Sequence, residues 1–388
     1  MKGLFYFRTH RNDPANQGVV GKCEAYVQAF TAQGIDADVI WYDEEGLVFN
    51  DRKIVVSFPG NRKKSVGHFL TFYRNGDRRL AHTLNFREYD FIVIRHMPTH
   101  RAFLKLLEKA KKTNPRIRII IELPTWPYDA EMKGPIGSFM LTVDRLYRAR
   151  LREFTDRFLH YGPEEGIWGV PAIFVQNGIS VGRIPPPVAL RPEPGLLRMT
   201  FIGSMGYWHG LDRLLEGMRI FLDKKNAGTQ PAIHLKILGN GAESEEIRAL
   251  VARLGLQHHV TLIPPKNGKE FDALMAQTDL GIGTLATHRI GLALNSALKH
   301  RTYCAYGLPF LFAGEDADFP ANFPFSLRIP GDESPVQMEE LIGFVEDLHR
   351  QYPDAAPQIR AYAEAQLDWT NKIKPVLEYL LNLHAMAW

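Results

Sequence analysis

Lys299 and Thr302 stand three apart in Asn295-Ser296-Ala297-Leu298-Lys299-His300-Arg301-Thr302, so on a helix they share one face near its start. A cation there opposes the partial positive charge of a helix N-terminus, and the conflict is relieved if an anion sits between them. Asn295 and Ser296 are placed to cap that helix. Upstream, Phe201-Ile202-Gly203-Ser204-Met205-Gly206-Tyr207-Trp208-His209-Gly210 follows a strand-like run and precedes an amphipathic helix. Its glycines let the backbone approach a ligand closely, and the amides at the head of the helix form a seat for a phosphate. Leu238-Gly239-Asn240-Gly241 is a second strand-to-helix turn, with Glu243, Glu245 and Glu246 complementing the dipole that follows. The plainer readings are generic strand-to-helix turns, good capping and a surface lysine.

The first half carries another set. Glu122 closes the apolar run 117–122 and opens Leu123-Pro124-Thr125-Trp126-Pro127-Tyr128-Asp129. A carboxylate at the tip of a buried strand is costly unless paired or used. It is either a reactive group or a structural one bound to an arginine such as Arg95. Trp126 and Tyr128 offer flat faces of the kind sugars stack on. Arg95 and His96 end the neighbouring strand, and Gln17-Gly18-Val19-Val20-Gly21-Lys22 opens a helix after the first strand. Asp36-Ala37-Asp38 and Asp316-Ala317-Asp318 match a metal–diphosphate tripeptide that is common by chance. The nucleotide and protease motifs GxGxxG, GxxxxGK[ST], HExxH and GxSxG are missing from the sequence.

These residues need a scaffold, and the hydrophobic period supplies one. Strand-like runs at 2–7, 37–41, 91–95, 117–122 and 172–176 alternate with helical patterns at 23–33, 102–112 and 138–159. The alternation restarts after 198. Strands fall at 198–202, 234–238, 260–263, 280–285 and 310–312. Helices fall at 212–221, 243–254, 271–277, 297–306, 336–351, 357–365 and 371–383. Strands alternating with helices give parallel α/β sheets. Between the two series, Ile184-Pro185-Pro186-Pro187 and Arg191-Pro192-Glu193-Pro194 remove donors and break helices. The expected division is 1–183, a linker 184–197, 198–365, and 366–388 packing back on the first domain.

Composition narrows the class. With 45% hydrophobic and 23% charged residues, the chain is globular rather than disordered. Cys23 and Cys304 are too far apart for a zinc or thiol motif, and a reducing compartment fits. The net charge of +4 is uneven, with 17 Lys+Arg against 5 Asp+Glu in 51–120. That excess suits an anionic partner, either a membrane surface or nucleic acid, or is simply a solvated basic face. Arg62, Lys63, Lys64, Arg74, Arg78 and Arg79 alternate there with Phe69, Phe72 and Tyr73. No apolar run is long enough for a membrane helix. The reading is cytoplasmic, with peripheral contact to the inner face of the cell membrane.

The order FIGSxxxWHGLDRLL, ILGNG, VTLIPP, DLGIGTL and SALKHRTYCAYGLPFL over 200–315 resembles the donor half of GT-B glycosyltransferases of the family 4 kind. Phe174-Val175-Gln176-Asn177-Gly178-Ile179 resembles the end of their acceptor half, and Ile121–Asp129 a stretch in bacterial polysaccharide-assembling members. The resemblance implies two doubly wound Rossmann-like domains facing an interdomain cleft. It implies a retaining transfer of a sugar from a nucleotide diphosphate-sugar to a hydroxyl of a glycan or lipid-linked acceptor, without a metal or other cofactor.

By position it puts Gly203, Ser204, His209, Gly239, Asn240, Ile263, Pro264, Asn295, Ser296, Lys299 and Thr302 on the donor. His209 stands where the family has Lys or Arg, and Leu294 and Thr302 stand where it has a glutamate pair. Gly18, Val19, Arg95, His96, Thr125, Trp126 and Tyr128 fall on the acceptor, with Glu122 and Lys299 as catalytic candidates. Two other readings compete. A GT-B nucleotide-sugar epimerase would turn over donor alone. A basic nucleic-acid-binding protein would lack the helix-turn-helix, RRM or zinc pattern expected of that class.

Overall fold

The run Ile119-Ile120-Ile121 is β-branched and fully buried, as a strand covered on both faces must be. It lies in β6 of a computed structural model that describes residues 1–13, 16–43, 46–54, 66–132, 134–187, 193–224, 231–292 and 294–385. The chain divides into two units, residues 1–175 with 373–388 and residues 176–372. The Pro-rich stretch therefore lies inside the second unit, and the helix Lys374–Ala385 belongs to the first.

The first unit is built on β1 (Lys2–His10), β2 (Asp36–Tyr42), β3 (Leu47–Phe49), β4 (Arg52–Ile54), β5 (Phe91–Arg95), β6 (Arg118–Glu122), β7 (Arg157–His160), β8 (Gly166–Ile167) and β9 (Val170–Phe174). Their order across one sheet is β4-β3-β2-β1-β5-β6-β7-β9-β8. The strands from β2 to β9 in that order pair in parallel, and β3, β4 and β8 add antiparallel edges. Parallel register places Arg95 beside Glu122 at the carboxyl ends of β5 and β6.

The second unit contains β10 (Leu196–Ile202), β11 (Ala232–Leu238), β12 (Val260–Ile263), β13 (Leu280–Ile282), β14 (Phe310–Ala313) and β15 (Ser326–Ile329). They form one parallel sheet ordered β12-β11-β10-β13-β14-β15. This is the doubly wound order in which connections leave β10 to one side and β13 to the other. Ligands bind such sheets at the carboxyl ends of the two strands flanking that switch point.

Three expectations need correction. The helix expected over 138–159 stops at Tyr147, passes through a 3-10 segment, and gives way to β7. Phe158 and His160 have no exposed surface and pair with β9 in parallel, so sheet burial overrides the helical spacing. Residues between the second and third expected strands carry more structure than foreseen, the β3–β4 hairpin and the helix Val66–Thr83. On that helix Arg74, Arg78 and Arg79 are exposed. Tyr73 is buried with its ring 5.0 Å from that of Tyr42, so it offers no face to an outside partner. Arg62, Lys63 and Lys64, and the side chains of Phe69 and Phe72, lie outside the described residues. Among the described residues no helix is long and apolar enough to cross a membrane.

Candidate functional site

In the second unit the glycine turns close the ends of β10, β11 and β12 on one another. Gly203 (φ 120°) and Gly239 (φ 140°) both occupy backbone that L side chains rarely adopt. A Cβ on Gly239 would sit 2.0 Å from the Gly203 carbonyl oxygen. The Gly203 amide donates to Leu238 O at 3.0 Å and the Gly239 amide to Ile263 O at 2.9 Å. The three expected donor segments are thus stitched edge to edge. Ser204, Asn240 and Pro264 are exposed along this edge, and Ile263 is half-buried.

Lys299 rises into the same region from the helix Leu298–Ala305. Its side chain passes Gly203, where an added Cβ would stand 3.7 Å from Lys299 Cε and 3.8 Å from Nζ. Lys299 is only 8% exposed, and its Nζ has no hydrogen-bond partner among the described residues. Nζ lies 3.7 Å from the centroid of the Phe201 ring, a cation–π contact. Burial alone holds the ammonium well below its ordinary value of 10.5. The helix it stands on has no acidic residue in its first turn and no side-chain cap.

That last point corrects the expected capping by Asn295 or Ser296. Both are tied elsewhere. The Asn295 amide donates to Thr284 Oγ1, and Ser296 Oγ accepts from the Asn177 amide at 2.8 Å. His209 packs 5.3 Å from the Phe201 ring, and its Nδ1 accepts from the Gly206 amide at 3.0 Å. Burial, then the charges of Lys299 and His300, hold it well below its ordinary value, so it is a neutral imidazole with one N–H to give. Thr302 donates its hydroxyl proton to Leu298 O at 3.0 Å, so toward a ligand it can only accept.

Asp316 and Asp318 are engaged by cations. Asp316 accepts from His300 Nδ1 at 2.9 Å and from both terminal nitrogens of Arg301. Asp318 binds Arg301 and Lys372. Arg301 and Thr284 carried no local signal in the sequence, and Asp316 stood out there only as half of a tripeptide common by chance, not as the partner of Arg301. Their partners lie up to 125 residues away.

The first unit gathers its polar residues at the ends of β5 and β6. Lys22 Nζ donates to Glu122 Oε1 at 2.6 Å, Arg95 Nη1 donates to the same oxygen at 3.3 Å, and the Tyr161 hydroxyl donates to it as well. Burial pushes the Glu122 carboxyl up, but Lys22 and Arg95 outweigh it and hold it down at about 2. Such a carboxylate is a weak proton acceptor, and its visible work is to bind two cations. Lys22 is the member whose part the sequence did not reveal, because helical spacing on Gln17–Ala32 gives no hint of a partner a hundred residues on. Gly18 and Val19 lie in the first turn of that helix rather than in a loop, and a Cβ on Gly18 would meet nothing within 4 Å.

His96 shares a hydrogen bond of 3.2 Å with Thr99 Oγ1. Burial, then Arg8 and Arg148, hold it down at about 3. The Tyr128 hydroxyl donates to Asp144 at 2.6 Å, and its ring lies 5.1 Å from that of His96. Trp126 is half-buried and meets Trp168 edge to face at 5.0 Å. Thr125 is half-buried and hydrogen-bonds the side chain of Glu131.

Residues 190–304 match the family described as Glycosyl transferases group 1. No curated protein matches the chain by sequence. Among solved structures it is similar to Anabaena HepE in complex with UDP, at 13% identity and TM-score 0.59, covering 98% of this chain and 100% of that one. It is also similar to sucrose-phosphate synthase from Thermosynechococcus elongatus, at 12% identity and TM-score 0.65 with both chains covered in full. A third similar structure is the catalytic domain of starch synthase IV from Arabidopsis thaliana bound to ADP and acarbose, at 10% identity, TM-score 0.67 and 99% of each chain.

Proposed function

We propose, from the premise that this chain is a GT-B glycosyltransferase carrying a group 1 domain at 190–304, that it transfers a sugar with retention from a nucleotide diphosphate-sugar to a hydroxyl. The acceptor is a glycan or lipid-linked sugar of a cell-surface polysaccharide. The observation that carries the donor assignment is Lys299, a buried ammonium with no counter-ion among the described residues, beside Gly203 and the uncapped head of its helix. A buried cation without a partner is costly, and a diphosphate supplies two negative groups in hydrogen-bonding reach of Nζ and of backbone amides.

As the bond between sugar and diphosphate breaks, negative charge grows on the leaving oxygen. Lys299 and the helix-head amides are already oriented toward that charge, so no reorganisation is needed at the moment of reaction. The reaction takes no metal in this reading, because Lys299 supplies the positive charge. His209 adds a single neutral N–H. Arg95, His96, Thr125 and Trp126 receive the acceptor, Trp126 through its ring. Glu122 acts by holding Lys22 and Arg95 rather than by taking the acceptor proton, which passes to the leaving diphosphate oxygen as the bond from the acceptor oxygen to the sugar forms. The exposed Arg74, Arg78 and Arg79 suit an anionic lipid surface that carries such an acceptor.

The test is Lys299→Ala. Removing one preorganised donor to a developing charge lowers turnover by about a hundredfold to a thousandfold. Unchanged turnover and donor affinity remove Lys299 from the mechanism, and consumption of donor without acceptor reassigns the chain to epimerisation.

A further inference from the structure

The loop 294–298 that carries Asn295 and Ser296 into the helix of Lys299 is tied by the Asn295 backbone amide to Glu315 O at 2.7 Å and by two separate side-chain arms, both of which begin at one carboxylate. In the first arm Asp316 Oδ2 accepts from His300 Nδ1 at 2.9 Å. That bond leaves His300 Nε2 as an acceptor, and the Thr284 amide donates to it at 3.3 Å. Thr284 Oγ1 in turn accepts from the Asn295 side-chain amide. In the second arm Arg301, with no exposed surface, makes a forked pair with Asp316. Its Nε donates to Asn177 O at 3.1 Å and one terminal nitrogen to Gln176 Oε1 at 3.2 Å. Asn177 then grips Ser296 twice, through its backbone amide to Oγ at 2.8 Å and through its side-chain amide to the Ser296 carbonyl.

The two carboxylates of the tripeptide do not make a cation site, since Asp316 is engaged by His300 and Arg301 and Asp318 by Arg301 and Lys372. Its effect is to fix where Asn295 and Ser296 stand relative to the helix head. The Asn177 side-chain oxygen is itself buried without a partner among the described residues. The residue is therefore kept in place at a cost that the double grip on Ser296 offsets.

We infer that Asp316 is the positioning residue of the donor loop, setting Asn295 through His300 and Thr284 and Ser296 through Arg301 and Asn177, so that the loop is preshaped for the distal phosphate of a nucleoside diphosphate. This rests on the donor reading of Lys299. A monophosphate lacks that distal group. Loosening the loop therefore weakens diphosphate binding while leaving monophosphate binding where it was, which a general loss of packing would not do.

The experiment reads the ratio of diphosphate to monophosphate affinity by calorimetry, using UDP against UMP and ADP against AMP. Thr284→Val cuts the first arm and keeps the shape of the side chain. Asn177→Ala cuts the side-chain bond of the second arm and also removes the orphaned oxygen. Each is expected to lower the ratio about tenfold, the scale of one hydrogen bond between well-placed polar groups. Thr284→Ser keeps the hydroxyl and is expected to restore the wild-type ratio. If both folded single-arm variants keep the wild-type ratio, the inference fails and the donor reading stands. If the wild type binds neither UDP nor ADP, the donor reading fails and takes the inference with it.

Discussion

Two lysines at the strand ends of this molecule meet opposite electrostatic fates. Lys22, in the first unit, is buried against Glu122, which also holds Arg95 and Tyr161. Lys299, in the second, is buried to the same degree but among the described residues reaches only an aromatic face. Burial lowers both ammonium groups, but Glu122 pulls Lys22 back up while nothing does so for Lys299. The first is a completed ion cluster, and breaking it leaves a charge stranded. The second, on the proposed function, is completed by the anion it binds. Burial of a charged group is therefore not a site signature by itself; burial without a partner is.

The largest expected consequence is on the completed side. Glu122→Gln strands two cations and should cost about 3–5 kcal/mol of stability at neutral pH, measured by denaturant unfolding. The carboxyl titrates at about 2 in the fold against an ordinary 4.5. Its contribution is present in full above the ordinary value and fades as pH falls toward about 2, where wild type and variant should converge. Equal stability at neutral pH would show that the cluster is not the anchor described.

On the incomplete side the sign reverses. Lys299→Met removes an unpaired charge and keeps the volume, so the empty protein should become more stable by about 1–3 kcal/mol while donor binding is weakened. The folded-state value lies below the ordinary 10.5. The unfolded chain therefore holds the extra proton, and stability of the wild type climbs with pH toward that value. The advantage of the methionine variant should shrink over the same range. A destabilised Met variant would mean that the ammonium has a partner in the fold.

Donor affinity gives the smallest effect. A diphosphate beside Nζ raises its proton affinity, so binding takes up a proton wherever the empty site has lost it. Above about pH 7, where the phosphates are already ionised, affinity for UDP or ADP should fall with rising pH by at most tenfold per pH unit. The Lys299→Met variant should lack that slope. A pH-independent wild type contradicts the coupling.

The two regions also differ in how far sequence could reveal them. Strands such as β6 and β10 were readable because apolar runs ending in a polar residue or a glycine have one sensible place in a parallel sheet. The turns at Gly203 and Gly239 and the helix that carries Lys299 were readable for the same reason, since each depends on local strand-to-helix geometry. β7 was not, because its four residues continue the spacing of the helix before them until sheet pairing claims them. The helix Val66–Thr83 was hidden by its charge and by Gly76, which reads as a breaker. In the fold Gly76 is demanded by packing, as a Cβ there would lie 2.6 Å from the Tyr42 hydroxyl. The partners of Glu122, Asn295 and Ser296 were equally out of reach, because each is chosen by tertiary contact across tens to more than a hundred residues.

The central claim is that Lys299 waits, unpaired, for a diphosphate. The most direct measurement is the titration of its side-chain nitrogen by NMR in protein labelled with nitrogen-15 at lysine, with and without saturating UDP or ADP. A value well below 10.5 is expected in the empty protein, with a clear rise on adding the nucleotide that binds. An ordinary value in the empty protein, or no change on saturation, would contradict that claim.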